Sequence, residues 1–145
     1  MKSTADSFDP RVLIVDADRQ TREAVLVYFR ILGYAARVAG NATEALEAMR
    51  GESFDLIIAD YCLPDGDGVS VLRSSVACQQ GAIRILTTAY SCDACRIKGD
   101  LTGIDEVVHK PFTGDQLRDR IESHACGRIA RVAEPAMQHH MEHHL

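Results

Sequence analysis

No run of apolar residues in this chain approaches the roughly 18 that would carry a helix across a bilayer. The first ten residues, MKSTADSFDP, hold a lysine but no apolar core, so they do not read as a secretory signal. Basic excess is missing as well. Lys and Arg number 16 against 21 Asp and Glu, for a net charge of −5, and nothing suggests the basic stripe of a nucleic-acid surface. The five cysteines (Cys62, Cys78, Cys92, Cys95 and Cys126) form an odd set, which argues against a disulfide framework. There is no internal repeat. The expectation from these absences is a cytoplasmic protein with neither a membrane anchor nor direct nucleic-acid contact.

What is present is an ordinary globular composition, 46% apolar and 26% charged, in 145 residues. That length favours one domain with a sizeable core. Val12–Val15 is a continuous, β-branched apolar run that reads as a strand buried on both faces. Ala24, Val25, Tyr28, Phe29 and Leu32 follow at helical spacing, and Gly33 stops them. Tyr34–Ala39 is a weaker strand. Asn41 with Glu44 has capping-box spacing ahead of a helix that carries Ala45, Leu46 and Met49 and ends at Gly51. Leu56–Ala59 is a third strand, and CLPDGDG is loop chemistry in which Asp65 and Asp67 serve the turn. Val69, Leu72 and Val76 suggest a third helix. Ile83–Leu86 is a fourth strand, Asp93 to Leu101 a short fourth helix, and Val107-Val108 the core of a fifth strand. Thr113 and Gln116 repeat the capping-box spacing before a last helix with Leu117 and Ile121. Alternating strands and helices predict an α/β fold, a doubly wound five-stranded parallel sheet with five helices.

In such a sheet the functional crevice lies outside the carboxyl ends of the strands. The residues following the apolar runs are Asp16, Asp60, Thr88 and Lys110. Two acids in one crevice repel each other unless a cation joins them, and carboxylate oxygens suit Mg²⁺, which keeps water and takes phosphate as a co-ligand. A hydroxyl and an ammonium bind further phosphoryl oxygens. The set reads as a place where a phosphoryl group meets a carboxylate.

The motifs LIVDAD, LIIADYCLPDGDG, ILTTA and VVHKPF, in this order and spacing, resemble the receiver domain of two-component response regulators. The resemblance implies a flavodoxin-like sheet of strand order 2-1-3-4-5 over residues 11–126. Residues 1–10 would be a leader, and 127–145 a tail or the start of a linker. It implies that Asp60 is the phosphoacceptor, taking its phosphoryl group from a sensor histidine kinase or a phosphotransfer protein. Mg²⁺ would be held by Asp16, Asp60 and the main-chain carbonyl of Cys62. Thr88 and Lys110 would bind phosphoryl oxygens after transfer. The chain would be no enzyme beyond assisting its own phosphorylation and dephosphorylation. It would signal to a downstream protein through the face of the fourth helix and fifth strand, as a monomer or weak dimer. The Lys110-Pro111 bond would be cis.

Three features stand out against the family pattern. Ala17 stands where a second metal-binding acid is usual. Val107 replaces an aromatic residue that couples to the threonine. Cys62 and Tyr90 occupy positions that tune phosphoryl lifetime. Other readings remain. LIVDADRQT also resembles haloacid-dehalogenase-type phosphatases, with Asp16 as nucleophile and Asp18 as general acid. Gln20 and the helix-opening GDQLRD do not suit that pattern, and it leaves LIIADYCLPDGDG unexplained. A receiver fold acting by contact alone, without phosphate, is favoured only by Ala17. A flavin-binding flavodoxin would carry a hydroxyl- and glycine-rich loop after strand one in place of DADRQTR. Cys92-x-x-Cys95 reads as incidental, and His139, His140, His143 and His144 as part of a tail. The Ala17 departure generates a prediction. Phosphotransfer to Ala17→Asp is expected to reach its half-maximal rate at lower Mg²⁺ than wild type, and identical Mg²⁺ dependence would remove Ala17 from the account.

Overall fold

The structure, a computed structural model, describes residues 9–89 and 101–125. Strands β1 (Arg11–Val15), β2 (Ala35–Ala39), β3 (Leu56–Asp60), β6 (Ile83–Thr88) and β7 (Glu106–His109) form one sheet in the order β2-β1-β3-β6-β7. Every pairing in it is parallel. The order is the anticipated 2-1-3-4-5. The remaining strands, β4 (Cys62–Leu63) and β5 (Gly66–Asp67), make a two-residue antiparallel hairpin beyond β3. Helices α1 (Arg19–Ile31), α2 (Ala42–Gly51), α3 (Gly68–Cys78) and a last helix (Gly114–Ala125) are the four among the described residues. The helix anticipated over 93–101 falls outside them. So do Tyr90, Cys92, Cys95, Cys126, most of the leader and the histidine-containing tail.

Strand alternation divides the core. Val12, Ile14, Leu56, Ile58, Ile83 and Ile85 pack with Val25, Tyr28 and Phe29 of α1 and with Leu117 and Ile121 of the last helix. Leu13, Val15, Ile57, Ala59 and Leu86 pack on the other side with Ala45 and Met49 of α2 and Val71 and Leu72 of α3. β1 and β3 are covered on both faces, which is why their sequences run apolar without interruption. β2 is an edge strand with only Ala39 buried, which is why AARVA carries a weak signal.

Two residues depart from the apolar pattern. Val76, spaced as part of the α3 stripe, is exposed, and the inward position one step earlier is Ser75, fully buried. Arg84 interrupts the apolar run of β6 and is itself buried. Its guanidinium donates to Ser75 Oγ at 2.6 Å and to the carbonyls of Ser75 (3.2 Å), Gln79 (2.6 Å) and Ala82 (3.1 Å). A cation there closes the C-terminal end of α3, where the helix dipole is negative and carbonyls lack partners.

The turn from β3 into α3 depends on one close approach. A Cβ at Gly68 would lie 2.2 Å from the carbonyl oxygen of Asp60 and 3.0 Å from Leu86 Cδ1. Only a glycine lets α3 start this near the strand end, and the Gly68 N–H donates to the Tyr61 carbonyl at 3.0 Å. Gly68→Ala is expected to lower unfolding free energy by about 1–3 kcal/mol in denaturant titrations. An unchanged midpoint would show that the turn relaxes without cost.

Candidate functional site

Five aspartates gather at the carboxyl ends of the strands, and three are taken up by helix starts. Asp18 caps α1, accepting from Thr21 N (3.1 Å) and Thr21 Oγ1 (2.5 Å). It is fully exposed, and the Thr21 hydroxyl holds its carboxyl below the usual range. Asp67 caps α3, accepting from Ser70 N at 2.8 Å. Asp65 reaches across to α2, where one oxygen accepts from Ala42 N (2.7 Å) and the other from Thr43 N (3.0 Å) and Thr43 Oγ1 (2.6 Å). Its carboxyl is lowered chiefly by the Thr43 hydroxyl. Asn41 caps the same helix through Glu44 N at 2.8 Å, and the Glu44 carboxylate turns back to Gly40 N at 2.8 Å. Asp65 thereby clamps the β4–β5 hairpin to α2, a role that its Pro-Asp-Gly context did not reveal.

The two acids left are Asp16 and Asp60. β1 and β3 pair with Val15 opposite Ala59, so the residues that follow emerge side by side. Lys110 reaches them from the loop after β7. Its ammonium donates to Asp16 Oδ2 at 2.9 Å and lies 3.4 Å from Asp60 Oδ1. The side chains of Asp16, Asp60 and Lys110 are 6%, 13% and 19% exposed, so the contacts are poorly screened by water. Burial pushes the Asp60 carboxyl above the usual range, and the Asp16 charge adds to this against the pull of Lys110 and Thr87. Burial alone would lower the Lys110 ammonium. The hydrogen bond to Asp16 and the charges of both aspartates outweigh it, so Lys110 is raised and stays charged.

The backbone around this cluster is tied at each strand end. Tyr61 N donates to the Thr87 carbonyl and Lys110 N to the Thr88 carbonyl, both at 2.8 Å. Asp16 Oδ1 accepts from Asp18 N at 2.8 Å, and its carbonyl accepts from Arg22 Nη1 at 2.8 Å. The hydroxyl found on Asp60 belongs to Thr87, whose Oγ1 donates to Asp60 Oδ1 at 3.3 Å. Thr88 is buried beside it, opposite His109 in register. The sequence carried a signal for Thr87 only in the doubled Thr87-Thr88, since choosing between neighbours needs the register. The Lys110-Pro111 bond is cis. A groove of about 380 Å³ opens beside Lys110, lined by Asp18, Thr21, Ala24, Val25, Pro111 and Phe112 among others.

The donor set is lean for a metal. Among the described residues no three His, Cys, Asp or Glu side chains converge on one point. Ala17 is exposed and Asp18 is engaged at its cap, so neither adds a carboxylate. Asp16 and Asp60 with a loop carbonyl at Cys62 fit a hard dication that retains most of its water. The phosphatase-type reading loses its general acid, because Asp18 is committed to Thr21.

The raised Asp60 carboxyl bears on stability. The folded chain holds the Asp60 proton to higher pH than the unfolded one, so ionised Asp60 costs stability at neutral pH, and this cost is relieved as pH falls through its folded value. Asp60→Asn is therefore expected to melt above wild type at neutral pH, with the gap narrowing on acidification. Thermal melts at neutral and acidic pH check this, and a gap that widens on acidification would contradict it.

Comparisons with known proteins converge on this geometry. Residues 12–122 match the response regulator receiver domain. Transcriptional activator protein PfeR of Pseudomonas aeruginosa is 34% identical over 114 residues, covering 79% of this chain and 37% of PfeR. DNA-binding response regulator MtrA of Mycobacterium tuberculosis is 30% identical over 118 residues, covering 81% of this chain and 51% of MtrA. The chain thus spans about half or less of these relatives' length. Among solved structures, a CheY-like receiver domain protein from Methanospirillum hungatei has a TM-score of 0.72 at 26% identity, covering 80% of this chain and 93% of that one. A response regulator from Burkholderia pseudomallei, with a phosphorylated aspartic acid, calcium ion and citrate, has a TM-score of 0.69 at 24% identity, covering 83% and 74%. The chain belongs to the response regulator receiver domain family of two-component signalling.

Proposed function

We propose that Asp60 accepts a phosphoryl group from a phosphohistidine on a sensor histidine kinase or phosphotransfer protein, and that the aspartyl phosphate alters this receiver's contacts with a downstream protein. The observation that carries the proposal is the Lys110 ammonium set against both Asp16 and Asp60 at the carboxyl ends of the central strands. In the transfer an Asp60 carboxylate oxygen forms a bond to phosphorus as the phosphorus–nitrogen bond breaks, and the electron pair leaves on the imidazole nitrogen. Lys110 stays protonated and meets the negative charge that collects on the phosphoryl oxygens. Thr88, at the end of β6, is the hydroxyl assigned to a phosphoryl oxygen after transfer. A Mg²⁺ ion bound by Asp16, Asp60 and the Cys62 carbonyl would neutralise charge on the transferring group. The Burkholderia pseudomallei response regulator, whose structure holds a phosphorylated aspartic acid and a calcium ion, is in keeping with a divalent ion in this fold.

The starts of α1, α2 and α3 face the same crevice and carry the positive ends of their dipoles toward it, which favours an anion. The output is assigned to the face beside β7, an edge strand of the sheet. There Glu106 pairs with Arg120 and with His124 Nε2 at 2.7 Å, joining the strand to the last helix. Val107 carries no aromatic ring, so the output follows from backbone movement of the β6 and β7 ends. The proposal places the chain in the cytoplasm with its kinase. It assigns the receiver no DNA contact, although relatives are DNA-binding or transcriptional regulators by name. No helix among the described residues is long and apolar enough to cross a membrane.

Incubation with a small phosphodonor across a Mg²⁺ series, read by intact mass, tests the proposal. Wild type is expected to gain one phosphoryl group and Asp60→Asn none. Label retained in Asp60→Asn and lost in Asp16→Asn would transfer the chemistry to Asp16. No gain at any Mg²⁺ level would leave a receiver fold that acts by contact alone.

A further inference from the structure

β6 ends in two threonines, and the structure separates their tasks. Thr87 lies opposite Asp60 in the parallel register, while Thr88 lies opposite His109. Alternation along β6 puts Thr87 on the side of Ile83 and Ile85, the side of Asp60 as well, and Thr88 on the side of Leu86. Thr87 is 2% exposed and its carbonyl is fixed by Tyr61 N at 2.8 Å. As a β-branched residue in a strand it has little χ1 freedom, so its hydroxyl is held in one place before any ligand arrives.

That hydroxyl makes the two oxygens of the Asp60 carboxylate unequal. Oδ1 accepts from Thr87 Oγ1 at 3.3 Å and faces Lys110 Nζ at 3.4 Å. Oδ2 receives no hydrogen bond among the described residues. A carboxylate turns easily about its last torsion, where the wells are broad. Two donors from different elements, one on β6 and one beyond β7, restrict that rotation on one side only.

We propose that Thr87 is a positioning residue for the phosphoacceptor, holding Asp60 Oδ1 so that Oδ2 presents its lone pair to the incoming phosphorus. The inference rests on Asp60 being the phosphoacceptor and adds a second hydroxyl to the one assigned to Thr88. In the step the Oδ2–phosphorus bond forms, the phosphorus–nitrogen bond of the donor breaks with its electron pair going to nitrogen, and Thr87 keeps its proton. A hydroxyl that merely satisfied its own buried oxygen would be replaceable by the isosteric valine without effect on the chemistry.

The experiment follows phosphorylation of wild type, Thr87→Val and Thr87→Ser by acetyl phosphate at saturating Mg²⁺, by intact mass against time. The ¹³C resonance of the Asp60 carboxyl is read in the unphosphorylated proteins. Thr87→Val is expected to slow phosphorylation about 3- to 10-fold, and Thr87→Ser to recover the wild-type rate within about twofold. The Asp60 resonance is expected to move in the valine variant and return in the serine variant. Labelled wild type together with an unslowed Thr87→Val overturns this inference alone. So does a slowed Thr87→Val whose Asp60 resonance has not moved, or a serine variant as slow as the valine one. A wild type that takes no phosphoryl group overturns both this inference and the phosphoacceptor reading.

Discussion

The arrangement at the crevice turns on one ammonium group. Parallel pairing of β1 and β3 forces Asp16 and Asp60 to emerge together, because neighbouring strands lie under about 5 Å apart. Two largely buried carboxylates at that separation oppose each other. Lys110 offsets the repulsion by standing against both. It does so from the far side of β6, anchored through its own N–H on the Thr88 carbonyl. The ends of β1, β3, β6 and β7 are thus joined by one charge and a few main-chain bonds. The proposed phosphorylation of Asp60 would add negative charge there and change what that ammonium balances, which is a physical basis for a switch.

The same end of the sheet shows how a protein disposes of surplus acid. Helix starts need acceptors, and Asp18, Asp65 and Asp67 supply them, each to one or two backbone N–H groups. Their charges are thereby placed against positive dipole ends and away from Asp16 and Asp60. The result is a crevice whose acids divide into three that serve helix starts and two that face Lys110. It also explains why Ala17 matters. With the neighbouring acid committed to a cap, no other side chain among the described residues supplies the carboxylate that this position lacks.

Much of this was legible beforehand. The buried strands announced themselves because parallel sheets covered on both faces need continuous apolar runs, and Asp16, Asp60 and Lys110 followed from standing directly after those runs. Thr113 with Gln116 reads as a capping box and forms one, with reciprocal bonds of 2.9 and 3.0 Å. Other features were hidden because they depend on partners distant in the chain. Asp65 looked like a turn residue, yet its oxygens serve a helix 22 and 23 residues away. Arg84 sat unnoticed in an apolar run, since the carbonyls that accept its protons come from α3 and the turn after it. The contact of Thr87 with Asp60 is invisible in sequence, because two adjacent hydroxyls are equivalent until a register sets which one faces the acid.

Residue order alone therefore determined the class of fold, the end of the sheet where chemistry belongs and the types of group gathered there. These follow from local rules: the period of burial, the chemistry of caps and turns, and the handedness of crossovers. Tertiary structure decided which of five aspartates serve helix starts, which threonine touches Asp60 and, among the described residues, which oxygen of that carboxylate receives no hydrogen bond. Such choices are set by register and by contacts between elements, and a linear pattern carries no record of either.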